Sequence, residues 1–120
     1  MKLAADVLVA LVALLHVWFL VLEMFLWDKP LGLKTFRHSA AEAAASKVLA
    51  ANQGLYNGFL TAGLVWGLIA TGSTGFQAKV FFLCCVVVAG VYGSVTANRR
   101  ILFAQALPGA LALAAVLLAG

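Results

Sequence analysis

Apolar residues recur along the chain in four long runs, over residues 3–27, 47–70, 76–97 and 101–119, separated by short polar or basic segments. Each run approaches or exceeds the roughly 20 residues that a helix needs to cross about 30 Å of hydrocarbon. The pattern predicts an all-α polytopic membrane protein, a single four-helix transmembrane domain with helices over about 3–27, 40–70, 76–98 and 101–119. The second helix starts before its apolar run, because Ser39 followed by Glu42 reads as a capping box in which each side chain satisfies a free amide of the other residue. At 1.5 Å per residue that helix would extend about 46 Å, so its first two turns are expected to stand in the cytoplasm. Thr74 with Gln77 repeats the capping pattern, and the third helix is expected to start there. Between helices 1 and 2, Pro30 and Gly32 break the periodicity of residues 28–38, which mix apolar with basic side chains and should lie along the headgroups. Pro108 removes an amide and disturbs the bond to the Ala104 carbonyl, so a kink near Gln105 is expected.

A polar patch interrupts the second run. On a helix with about 100° per residue, Asn52, Gln53, Tyr56 and Asn57 cover an arc of about 140°, while Gly54 and Gly58 fall toward the other side. An unpartnered amide in hydrocarbon costs on the order of a few kcal/mol, so these groups require partners or a wet cavity. By depth, the candidates are Glu23 near the end of helix 1, Tyr92, Thr96 and Arg99 near the end of helix 3, and Gln105 early in helix 4. His16 lies near the middle of helix 1, and His16, Glu23 and Trp27 share nearly one side of it. The small residues offer a second surface: Gly54 with Gly58 forms a Gly-x-x-x-Gly that permits close approach of a helix from this chain or another copy, and Gly90 with Ser94 gives helix 3 a similar stripe.

With 65% hydrophobic and 10% charged residues and a mean hydropathy of +1.08, the chain is too apolar to cover a soluble domain. The first run is too long for a secretory signal and is expected to be retained. A net charge of +4 would suggest nucleic acid for a soluble protein, but here the basic residues collect at helix ends, so no nucleic-acid partner is expected. Lys29, Lys34, Arg37, Lys47, Arg99 and Arg100 lie on one side, against Lys2 and Lys79 on the other. The bias predicts cytoplasmic loops between helices 1 and 2 and helices 3 and 4, with both termini outside. Asp6, near the outer end, is expected to be solvated.

Candidate chemistry is sparse. His16 and His38 are the only histidines, too few and too far apart in depth for a metal or haem site, so no metal and no cofactor is assigned. Cys84 and Cys85 are adjacent and read as small core residues without a disulfide framework. No nucleophile is placed for a catalytic set and no reaction is assigned. The polar residues of the cytoplasmic leaflet support either a packed network or a pocket for a small amphiphile such as a quinone, lipid or lipophilic metabolite. In the pocket reading, Asn52, Gln53, Tyr56, Asn57 and Gln105 supply hydrogen bonds, Glu23 and His16 handle protons or polarise the ligand, and Arg99 holds an acidic group. The protein is then expected to form homo-oligomers, dimers or trimers, in the bilayer. The competing reading is a non-catalytic accessory or scaffold subunit docking through its glycine faces. A proton-coupled exporter would need a polar route through the outer half that the pattern does not show.

His16 with Glu23-Met24-Phe25-Leu26-Trp27, Asn52-Gln53-Gly54-Leu55-Tyr56-Asn57-Gly58, and Ala89-Gly90-Val91-Tyr92-Gly93 with Gln105 and Pro108 resemble the bacterial four-helix membrane family catalogued as domain of unknown function 1304. The resemblance covers nearly the whole chain and implies a shared fold, a shared polar set and a place in the bacterial inner membrane, with no assigned activity. The chain is also similar, in architecture, to the MAPEG group of eicosanoid and glutathione metabolism, four-helix membrane proteins with a polar second helix. In that match Lys47 replaces the group's Arg, Gly54 stands where its Asn is expected and Asn57 where its Glu is expected. Two of three glutathione contacts are therefore missing, while a MAPEG-like membrane enzyme with a lipophilic-ligand site at its helix interfaces stays among the alternatives that this resemblance implies.

Overall fold

The computed structural model describes residues 1–120, and every regular element in it is helical. Five α-helices follow in order: α1 (Lys2–Met24), α2 (Pro30–Phe36), α3 (Ala40–Ile69), α4 (Gly72–Thr96) and, after a π-helical turn over Leu102–Ala106, α5 (Leu107–Ala119). Three helices are long and apolar enough to cross a membrane, namely Lys2–Met24, Gly72–Thr96 and the continuous stretch Leu102–Ala119. The chain is a membrane protein on that ground. At 30 residues α3 is the longest helix, but it falls outside this group because Asn52, Gln53 and Asn57 dilute its apolar stretch.

Local chemistry explains the helix boundaries. Phe25 and Leu26 both donate to the Val21 carbonyl, at 3.0 and 3.1 Å, which closes α1 at Met24 and takes Trp27 out of the helix. Pro30 and Gly32 lie inside a helix of 7 residues rather than breaking one. Proline occupies the first turn of α2, where an amide would have no intrahelical partner, and a Cβ at Gly32 would overlap the Leu26 carbonyl. Arg37, with φ 54°, ends α2 in the left-handed conformation and donates its amide to Leu33. The capping box at the start of α3 is formed in both directions: Ser39 N donates to Glu42 Oε1 at 2.8 Å, and Glu42 N to Ser39 Oγ at 3.1 Å.

At the next helix start the expectation fails. Helix α4 begins at Gly72, so Thr74 and Gln77 lie within its opening turns, and Thr71 supplies no side-chain cap. Two glycines account for the early start. Gly72 enters at φ +67°, and a Cβ at Gly75 would come within 3.0 Å of the Gly67 carbonyl oxygen, so the α3–α4 turn closes tightly only without side chains there. The disturbance expected from Pro108 takes the form of the π turn. Leu107 N donates to Leu102 O, five residues back, which absorbs the mismatch created by proline just ahead of α5.

The chain divides into two compact units, residues 1–13 with 60–120, and residues 14–59, and both α1 and α3 contribute to each. The core of the first unit is apolar, built on Val9, Leu64, Leu83, Val86 and Ala112, all fully buried. Helix α4 comes close to the backbone of the π turn at Gly90, where a Cβ would lie 2.5 Å from Ala106 N and 2.8 Å from Ala106 Cα. Thr61 Oγ1 donates to the Ala13 carbonyl at 3.2 Å in the same unit. The second unit buries Leu22, Ala43 and Ala50 together with two polar residues, His16 and Asn57.

Candidate functional site

Two polar constellations emerge, one in each unit. In the unit over residues 14–59, Asn57 is 4% exposed and its Nδ2 donates to Glu23 Oε1. The glycines of α3 make this bond geometrically possible. A Cβ at Gly54 would lie 2.5 Å from Met24 Cγ and 3.2 Å from Glu23 Cβ, and one at Gly58 would lie 2.9 Å from Leu20 Cδ1. The Gly-x-x-x-Gly face therefore serves an approach of α3 to α1 within this chain. Asn57 falls about 60° from Gly54 around the helix, so it shares that face, whereas Asn52 and Tyr56 lie well over 90° away. Accordingly Asn52, Gln53 and Tyr56 are exposed, with Asn52 Nδ2 turned back to the Val48 carbonyl at 3.1 Å. His16 is fully buried, its ring edge-on to Phe19 with centroids 5.1 Å apart.

A ring of contacts closes the end of this unit. Trp27 Nε1 donates to Ser46 Oγ at 3.1 Å, the His38 ring lies 4.5 Å from the Trp27 ring, and Phe36 packs on Trp27 at 4.6 Å. His38 Nε2 is 3.2 Å from the Trp27 carbonyl. Outside it, Lys47 Nζ meets Asp28 Oδ2 at 2.9 Å, and the hydrogen bond from Lys47 holds the Asp28 carboxyl below the usual carboxylate range. Ser39 does the same for Glu42 through its backbone amide. Neither ion pair in the molecule involves Glu23. Its carboxyl thus has an amide donor and no counter-charge, an arrangement able to hold a proton or to accept a hydrogen bond or a cation from a ligand.

Tyr92, Thr96, Arg99 and Gln105 belong to the other unit. Tyr92, Thr96 and Arg99 are exposed, and Thr96 Oγ1 donates to its own helix at Tyr92 O, 2.8 Å away. Gln105 is half-buried inside the π turn. Ser94 Oγ donates to the Val91 carbonyl at 2.7 Å.

The second constellation is one that sequence reasoning missed. Asp6, expected to be solvated, and Lys79, counted only as a topology marker, form an ion pair of 3.0 Å whose side chains are 31% and 11% exposed. They line a cavity of about 420 Å³ together with Lys2, Ala70, Gly72, Ser73, Gly75, Phe76, Val116 and Gly120, among others. A signal was present: opposite charges sit in the second turn of α1 and the third turn of α4, two helices that otherwise begin apolar runs, and each is costly there without the other.

Fold and site together define a small all-helical membrane protein that carries an acid–amide pair and an ion pair within its helices. The chain belongs to the family described as Protein of unknown function (DUF1304), whose pattern it matches over residues 10–117. It is similar to the Uncharacterized protein YpaA of Lactococcus lactis, with 29% identity over 119 residues, covering 98% of this chain and 97% of that one. No solved structure matches it.

Proposed function

We propose that the protein spans the bacterial inner membrane four times, through α1, α3, α4 and the π turn with α5, and binds a small amphiphilic or lipophilic molecule beside Glu23 in the cytoplasmic leaflet. One observation carries the reading. A carboxyl in the last turn of an apolar helix is held by a buried neutral amide, Asn57, and by no cation. Such a group is expensive in hydrocarbon and is retained where it contacts a proton, an ion or a ligand. The α3 helix serves as the fourth span because its 30 residues suffice even with two turns in the cytoplasm, and an even number of spans puts both termini on the same side, outside by the basic bias of the connections. Basic residues of the α1–α3 connection and of the segment after α4 then face the cytoplasm.

The test is mass spectrometry of what leaves the membrane with the protein. A small molecule retained by the natural protein and lost in Glu23→Gln and Asn57→Leu, with folding kept, supports the reading; unchanged retention in both variants defeats it. A second reading, an assembly role, is favoured by Asn52, Gln53 and Tyr56, which a single chain leaves exposed. Purification in mild detergent separates the two: a homo-oligomer with bound ligand supports the first, a stoichiometric foreign subunit the second.

A further inference from the structure

The cavity of the first unit lies where three membrane-type helices have their ends, the starts of α1 and α4 and the last turn of α5. That position corresponds to the depth of lipid headgroups. Its walls differ in character. Phe76, Val116 and Ala119 are apolar, while Lys2, Lys79 and Asp6 are charged. Lys79 is nearly buried and gives Asp6 one contact, and an ammonium carries three donors. Gly72, Ser73 and Gly75 bring the first amides of α4 to the same space, and Thr71 contributes no side-chain cap to them. Amides at a helix start carry the positive end of the helix dipole. The donors therefore converge on one wall and the hydrocarbon on another.

We propose that this cavity binds the oxyanion head of an amphiphile, a phosphate or carboxylate, against Lys79, Lys2 and the start of α4, with its tail along Phe76 and Val116. In this arrangement Asp6 is the internal competitor, a carboxylate that occupies one donor of Lys79. The site is separate from Glu23 and Asn57, which lie in the other unit.

Native mass spectrometry of the whole protein in mild detergent, with phosphatidylglycerol and phosphatidylcholine added in equal amounts, tests the assignment. Phosphatidylglycerol should be retained at least about tenfold over phosphatidylcholine, as charge-assisted bonds of ordinary strength require. Lys79→Met should abolish that preference, Lys79→Arg should keep it, and Asp6→Asn should strengthen it by releasing Lys79. Should Lys79→Met fail to fold, Lys2→Gln is the milder probe, expected to weaken the preference by about threefold. Competition by inorganic phosphate at millimolar excess assigns the site to a soluble oxyanion; resistance to it assigns the site to the lipid head. Equal retention of both lipids without phosphate binding overturns the proposal, and so does an Asp6→Asn variant that loses the preference as fully as Lys79→Met.

Discussion

Asp6 and Lys79 bring opposite charges to 3.0 Å, whereas Glu23 meets only the neutral amide of Asn57. Both joints link α1 to a later helix, and both set polar atoms among apolar neighbours. In the first, each charge offsets the desolvation of the other. In the second, the amide satisfies one oxygen and leaves the carboxyl without a counter-charge. The comparison separates a joint whose two charges offset one another from one whose carboxyl has no counter-charge, and the proposed ligand beside Glu23 follows from that difference.

The largest expected effect is on the ion pair. Asp6→Leu strands a nearly buried lysine and should lower stability by on the order of 2–3 kcal/mol, while Asp6→Leu with Lys79→Met should recover most of the loss. Thermal midpoints in detergent measure both, and a double variant as unstable as the single one would remove the reason for treating this joint as mutual compensation. Next comes the acid–amide joint. Asn57→Leu withdraws the only amide donor seen on Glu23 and should cost about 1–3 kcal/mol, whereas Glu23→Gln, of the same shape and without the charge, should change stability by less than about 1 kcal/mol. If Glu23→Gln proves the more damaging, the joint depends on charge after all.

Smaller effects belong to the connection between the two helices of the second unit. Ser39→Ala removes the cap of α3 and should cost about 1 kcal/mol. Glu42 and Asp28 are both held below the usual carboxylate range, by the Ser39 amide and the Lys47 ammonium. Their contributions are therefore complete above that range and are lost as the pH falls through the lowered values. Glu42→Gln and Asp28→Asn should each flatten the acid side of a plot of thermal midpoint against pH, and an unaltered slope in both would show that these exposed contacts add nothing measurable.

Much of this architecture is legible in the residue order because it depends on local chemistry. Apolar runs of sufficient length announce membrane helices, Ser39 with Glu42 announces a helix start, and Pro108 announces a disturbance that the chain resolves as a π turn. Helix boundaries fared worse where backbone packing took over from side-chain signals. The α4 start follows Gly72 and Gly75 rather than Thr74, and Trp27 leaves α1 to reach Ser46. The polar patch of α3 was visible as an arc, but an arc does not say which of its members faces a neighbour.

The sequence by itself determined that this chain is an all-helical membrane protein, where its polar residues fall, and which family it resembles, since hydropathy and period are properties of single segments. Only the tertiary structure decided the partners: Asn57 rather than Gln53 or Tyr56 turns to Glu23 because Gly54 and Gly58 admit α1 on that side, and Asp6 finds Lys79 across a separation of 73 residues. Pairing is a property of two surfaces brought together, and no single helix carries that information.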